Sequence, residues 1–251
     1  MKFSVCLPAV YSGVSAQDAL KQAAALGAGT VEIWGWWDQD LDALDRAKEE
    51  TGLELVGMCA KMVPLNDPAC HEAFVQGLKE SIETAKRFGC PNLIAQVGND
   101  NGASRAAQHA AIVEGLKLCA PVLEEAGITL LVEPLNVLVD HIGYYLASSQ
   151  EGAEIIRAVN SPNVKLLFDI YHQQITEGNL IANLTKCIDT IGHVHIAGVP
   201  GRHEPFSDNE INYPAVLAAL GKLGYTGYVG LEYFPAENRE EGLKKALAME
   251  I

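Results

Sequence analysis

Short apolar runs alternate along this chain with longer amphipathic ones. The short runs fall at about 3–8 (FSVCLP), 30–34 (TVEIW), 54–59 (ELVGMC), 92–97 (NLIAQV), 128–133 (ITLLVE), 164–169 (VKLLFD), 192–197 (GHVHIA) and 227–232 (GYVGLE). We read them as strands; Val164, Leu166, Leu167 and Phe168 suit a strand covered on both faces. The clearest helical pattern is 67–88, where Phe74, Leu78, Ile82, Ala85 and Phe88 recur at three- and four-residue steps. Gly27, Gly52, Gly89, Gly127 and Gly224 follow five of the helical stretches, where a helix end takes up left-handed backbone. "AALGAGTVEIW", "EEAGITLLVE" and "GKLGYTGYVGLE" repeat the same helix–glycine–strand join.

Eight strands, each followed by a helix or by a loop and helix, predict an α/β fold of the (β/α)8 barrel type, as one domain over 1–251. A doubly wound sheet is the alternative. It usually has fewer strands, and no GxGxxG follows the first strand to seat a dinucleotide. There is no low-complexity segment and no interdomain linker. The loop 198–212 (GVPGRHEPFSDNEIN) is the longest turn-rich stretch after a strand and is suited to cover an active site.

Composition narrows the partners. The chain is 49% apolar, enough for a sizeable core, yet no stretch approaches a membrane span. The first residues, MKFSVCLPAVYSG, hold one Lys and a short apolar run, where a secretory signal needs a longer one and a cleavage site. A cytoplasmic protein is the expectation. The net charge of −14 repels phosphate backbones and anionic surfaces, so neither nucleic acid nor membrane is expected as a partner. A small-molecule substrate is expected, and a homo-oligomer is left open. The six cysteines form no CxxC pair and read as reduced thiols packed as small hydrophobes.

The chemistry lies at the strand ends. In such barrels the C-terminal ends of the strands converge on one rim, where active sites sit. Strand five ends at Glu133, strand six at Asp169 and strand eight at Glu232, and strand seven carries His193 and His195. Carboxylates gathered this closely repel one another and take up protons, and a divalent cation removes that conflict. Three oxygen donors with one imidazole suit Mn²⁺, Co²⁺ or Mg²⁺ better than a structural zinc. For any one acid, a helix N-cap or a loop salt bridge is the alternative. His193 and His195 point to the same side of their strand, so alternation leaves open which is the ligand. Glu32 is read as structural. Of Trp34, Trp36 and Trp37, Trp34 is placed to line a pocket.

These stretches carry a resemblance. "LLVEPLN", "LLFDIYHQQITEGNL", "IGHVHIAGVPGRHEP", "EINYP" and "GYVGLEYFP" resemble the hydroxypyruvate isomerase branch of the xylose-isomerase-like barrel superfamily, over about 128–235. The resemblance implies one divalent metal held by Glu133, Asp169, His195 and Glu232. It also implies that Glu133 and Glu232 act as the acid/base pair and that His172 and Arg202 contact substrate. Hydroxypyruvate isomerases commonly carry Gln where this chain has His195, and the sugar epimerases of the superfamily carry His. Ketose 3-epimerases usually place a substrate-binding Glu where this chain has Val139.

The reaction expected is isomerisation of hydroxypyruvate, or a related small 2-oxo acid, through an enediolate. Arg202 is the candidate clamp for the carboxylate, because its planar fork suits one. The alternatives are a metal-dependent ketose 3-epimerase, a non-catalytic sugar-binding barrel and an abasic-site endonuclease-like phosphodiesterase. The last gathers several zinc ions through many histidines and binds DNA, against seven histidines and a strong negative charge here.

Overall fold

The structure is a computed structural model that describes residues 1–206, 209–236 and 238–250. Eight parallel strands close on themselves in chain order. They are β1 (Lys2–Cys6), β2 (Thr30–Glu32), β3 (Glu54–Cys59), β4 (Asn92–Ala95), β5 (Thr129–Val132), β6 (Val164–Asp169), β7 (Ile191–Ile196) and β8 (Tyr228–Leu231). β8 pairs with β1, from Lys2 opposite Tyr228 to Val5 opposite Leu231, so no edge is left and the doubly wound alternative falls. Helices follow the strands around the outside, and no helix among the described residues is long and apolar enough to cross a membrane.

The local signals mostly act as written. The helix expected over 67–88 starts with a 3₁₀ turn, Pro68–Cys70, because Asp67 accepts from the Ala69 amide at 2.9 Å; the α-helix proper runs His71–Phe88. Phe74, Leu78, Ile82, Ala85 and Phe88 are all buried along it. Gly89 and Gly127 cap their helices at φ 65° and 66°, a conformation that costs a side-chain-bearing residue. The first strand stops two residues earlier than the apolar run, since Leu7–Val10 turns into a helix with Pro8 in its first turn.

Strand residues alternate between two environments. Val5, Val31, Leu130, Val132, Leu166, Phe168, Val194, Ile196 and Leu231 pack outward into the main core under the helices. The inward face divides in two. Cys59, Ile94, Leu131 and Leu167, one from each of β3 to β6, form a small apolar plug with Trp34 against it. On the other side the interior holds Ser4, Glu32, His193 and His195, all buried. Two residues beyond Leu131, Leu167, His193 and Gly230 on the same inward face stand Glu133, Asp169, His195 and Glu232.

Candidate active site and metal centre

Glu133, Asp169, His195 and Glu232 meet at the C-terminal rim, and one donor atom from each lies within 4.8 Å of all the others. All four residues are buried. Strand register delivers them: Asp169 pairs with His195 across β6 and β7, and His195 pairs with Gly230, two residues before Glu232.

Each donor is held differently. Asp169 divides its carboxylate. One oxygen accepts from the backbone amides of Tyr171 (2.7 Å) and His172 (3.2 Å) and so caps the helix Ile170–Thr176. The other faces the cluster, 3.8 Å from Arg202 and 3.5 Å from His172 Nε2. The helix-cap role and the cluster role therefore coexist in one side chain. His195 turns Nδ1 to the cluster, 3.2 Å from Glu232 Oε2 and 3.7 Å from Glu133 Oε1, while Nε2 lies 2.8 Å from Glu32. Glu232 accepts from Trp34 Nε1 at 2.8 Å on one oxygen and from Arg202 at 2.5 Å on the other. Glu133 Oε1 is buried without a hydrogen-bond partner, as is His195 Nδ1.

The electrostatics follow from that crowding. Burial pushes the Glu232 carboxyl up, but His195 and Arg202 outweigh it and hold it well below the usual carboxylate range. Burial raises Asp169 above its ordinary value; Arg202 opposes this and the Glu232 carboxylate adds to it. Burial would push the His195 imidazole down, yet Glu232 and Glu32 carry it well above its ordinary range. Burial likewise works against ionisation of Glu32, and the two imidazoles beside it pull it well below the usual range. A nitrogen that is at once buried, unpartnered and drawn positive by its neighbours is a place for a proton or for a cation. The orphaned Glu133 oxygen and the surplus of carboxylates make the same request, so these residues fit a divalent ion.

The remaining candidates line the same rim. His172 is fully buried, and its Nδ1 accepts from the Asn136 side chain at 2.7 Å and the Asn136 amide at 3.2 Å. That leaves Nε2 as the protonated nitrogen, without a partner and turned to the cluster. Burial first, and the charge of Arg202 second, push the His172 pKa down to about 4. Arg202 comes from the loop 198–212, of which residues 207 and 208 lie outside the described residues. It adopts φ 57°, and its guanidinium packs over the rings of Tyr171 (5.1 Å) and Phe234 (5.9 Å). Trp34 stands beside Phe234, ring centroids 6.5 Å apart, at the edge of the same cleft.

The structure separates the two histidines that alternation left open. His195 is in the rim cluster; His193 lies one layer deeper, with Nε2 3.0 Å from Glu32. It also brings in Asn136, to which no pattern pointed although it ends the "LLVEPLN" stretch. Asn136 Oδ1 accepts from the amides of Val139 and Asp140, its Nδ2 donates to Asp140, and Asp140 in turn accepts from the Tyr171 hydroxyl.

Comparison with known proteins identifies the family and the fold. The family described as "Xylose isomerase-like TIM barrel" matches residues 20–249. A human protein named putative hydroxypyruvate isomerase is 34% identical over 97% of this chain and 93% of its own length. A 2-oxo-tetronate isomerase of Pectobacterium atrosepticum is 31% identical over 96% and 95%. Among solved structures, one described as AP endonuclease, family 2 from Brucella melitensis superposes with a TM-score of 0.87 and 32% identity, covering 96% of each chain.

Proposed function

This chain belongs to the xylose isomerase-like TIM barrel family and is an isomerase, and we propose that it interconverts a small 2-oxo acid and its hydroxy-aldehyde isomer with the help of one divalent cation. Hydroxypyruvate to 2-hydroxy-3-oxopropanoate is the reaction we favour, in a single barrel domain over 1–251. The observation that carries the reading is the convergence of Glu133, Asp169, His195 and Glu232 within 4.8 Å beside an arginine.

Glu133, Asp169, His195 and Glu232 would hold the ion, and their oxygen-rich donor set favours Mn²⁺, Mg²⁺ or Co²⁺. When bound, the ion polarises the substrate carbonyl and offsets the negative charge that develops next to it. The chain supplies the proton transfers. Glu133 and Glu232 are the acid/base pair: one takes the proton from C3 of hydroxypyruvate, giving an enediolate, and the pair returns a proton to C2. The C3–H bond breaks and a C2–H bond forms, the hydroxyl proton on O3 passes to O2, and the atoms of substrate and product are the same. His172 offers Nε2–H as a neutral donor to a substrate oxygen. Arg202 supplies the positive charge that a substrate carboxylate needs in a cleft of carboxylates. Trp34 walls the pocket and orients Glu232.

Two neighbouring readings have less support. A ketose 3-epimerase would use the same four donors, but Val139, where such enzymes usually present a Glu, is 62% exposed and carries no polar group. A DNA phosphodiesterase would need several metal ions, and the candidate groupings among the described residues contain only two histidines, His193 and His195. The deciding experiment incubates the protein with Mn²⁺ in D₂O against a panel of 2-oxo acids, ketoses and inososes, read by NMR. Deuterium at the reacting carbons of hydroxypyruvate or a close relative is the expected result. Exchange confined to ketoses would replace the proposal with epimerisation.

A further inference from the structure

The four rim donors account for one nitrogen of His195. We infer that Glu32, at the end of β2, is a positioning residue for the metal centre, holding His195 through Nε2–H so that Nδ1 presents its lone pair to the rim. The inference rests on the metal-dependent reading above and adds a residue outside the four donors.

Glu32 is 1% exposed and accepts from the Ser4 hydroxyl, from His193 Nε2 at 3.0 Å and from His195 Nε2 at 2.8 Å. An ionised carboxylate can only accept hydrogen bonds, so each imidazole must carry its proton on Nε2. For His195 that tautomer leaves the lone pair on Nδ1, the nitrogen facing Glu133 and Glu232. A carboxylate behind a ligating imidazole fixes both ring orientation and tautomer.

The barrel has made room for this pair. A Cβ on Gly230 would stand 2.4 Å from His195 Cδ2 and 2.6 Å from Glu32 Oε1, and one on Gly57 would stand 3.2 Å from Glu32 Cγ and Oε2. Neither glycine is among those with positive φ, so backbone conformation does not require glycine at either position. The space does. A purely structural role explains this poorly. Cys59, Ile94, Leu131 and Leu167 fill the opposite side of the interior without a charge. Buried ionic groups are weak contributors to stability compared with such packing.

The test measures Mn²⁺ binding by calorimetry on chelator-treated wild type and Glu32→Gln, with circular dichroism as the check on folding. Glu32→Gln keeps the volume but replaces one acceptor with a donor. Its Mn²⁺ dissociation constant should rise about 10- to 100-fold, while substrate KM at saturating Mn²⁺ stays within about twofold. A second measurement needs no variant at Glu32. In Mg²⁺-loaded wild type labelled with ¹⁵N-histidine, His195, assigned by its loss in His195→Gln, should be the Nε2–H tautomer. Unchanged Mn²⁺ affinity in folded Glu32→Gln overturns the role of Glu32 alone; an Nδ1–H tautomer in the loaded wild type overturns it together with His195 as a donor through Nδ1. Wild type that takes up no Mn²⁺ overturns the metal-dependent reading itself, and the inference with it.

Discussion

Arg202 donates to Oε2 of Glu232 at 2.5 Å, and that same oxygen lies 3.2 Å from Nδ1 of His195. A loop residue thus reaches the centre of a cluster built from strand ends. Its side chain is 13% exposed, and burial, which works against the charge, is outweighed by Glu232 and Asp169. Removing it leaves those carboxylates and an incoming substrate carboxylate without their nearest cation. Arg202→Ala should lower kcat/KM for hydroxypyruvate roughly 10- to 150-fold, the equivalent of about 1.5–3 kcal/mol for a charge-assisted bond. A neutral ketose should lose less, since other donors can serve its hydroxyls. Steady-state kinetics at saturating Mn²⁺ make the comparison, and equal losses on both substrate types would remove the clamp role.

Glu133 and Glu232 sit on the rim rather than within the packed core, so their amides should be tolerated by the fold. Glu133→Gln and Glu232→Gln should each lower turnover at least about 100-fold, the usual scale for losing a general acid or base. Circular dichroism should show an unchanged spectrum. Near wild-type turnover in either variant would take that glutamate out of the acid/base pair.

His195 should make metal binding pH-dependent. Glu232 and Glu32 raise its pKa above the ordinary range, so the apo imidazole should hold its proton to higher pH than a free histidine does. A cation at Nδ1 must displace that proton. Mn²⁺ uptake near pH 7 should therefore release about one proton from this site, and affinity should rise up to about tenfold per pH unit until the pH passes the raised pKa. Calorimetry in buffers of different ionisation enthalpy counts the proton. An affinity that does not change between pH 6 and 8 would show that binding displaces no proton from His195 in that range.

His172 should behave in the opposite way. With its pKa pushed down to about 4, it stays neutral across the working range, and its resonances should not titrate between pH 5 and 8. Asn136 holds its tautomer through the 2.7 Å bond to Nδ1. Asn136→Ala should lower kcat/KM by about tenfold, the scale of one lost hydrogen bond of about 1 kcal/mol together with the freed tautomer. A titrating His172 in the wild-type protein would contradict its role as a neutral donor.

Much of this architecture is legible along the chain because its causes are local. Alternation at period two places Glu133 above Leu131, Asp169 above Leu167 and His195 above His193 on one face of each strand. Left-handed glycines end the helices before the strands begin. Those two signals suffice for eight strands, a barrel and an acidic rim. Other relationships arise from closure and register. Glu32 and His195 are 163 positions apart, and their contact exists because β1 joins β8. The strand register also shifts between Val31 and Glu32 and between Leu166 and Leu167, which resets the height at which each side chain enters the interior. Local periodicity carries no record of such shifts. It therefore could not separate the rim histidine from the one beneath it, bring Arg202 onto Glu232, or give Glu32 the two imidazoles that pair with its buried charge.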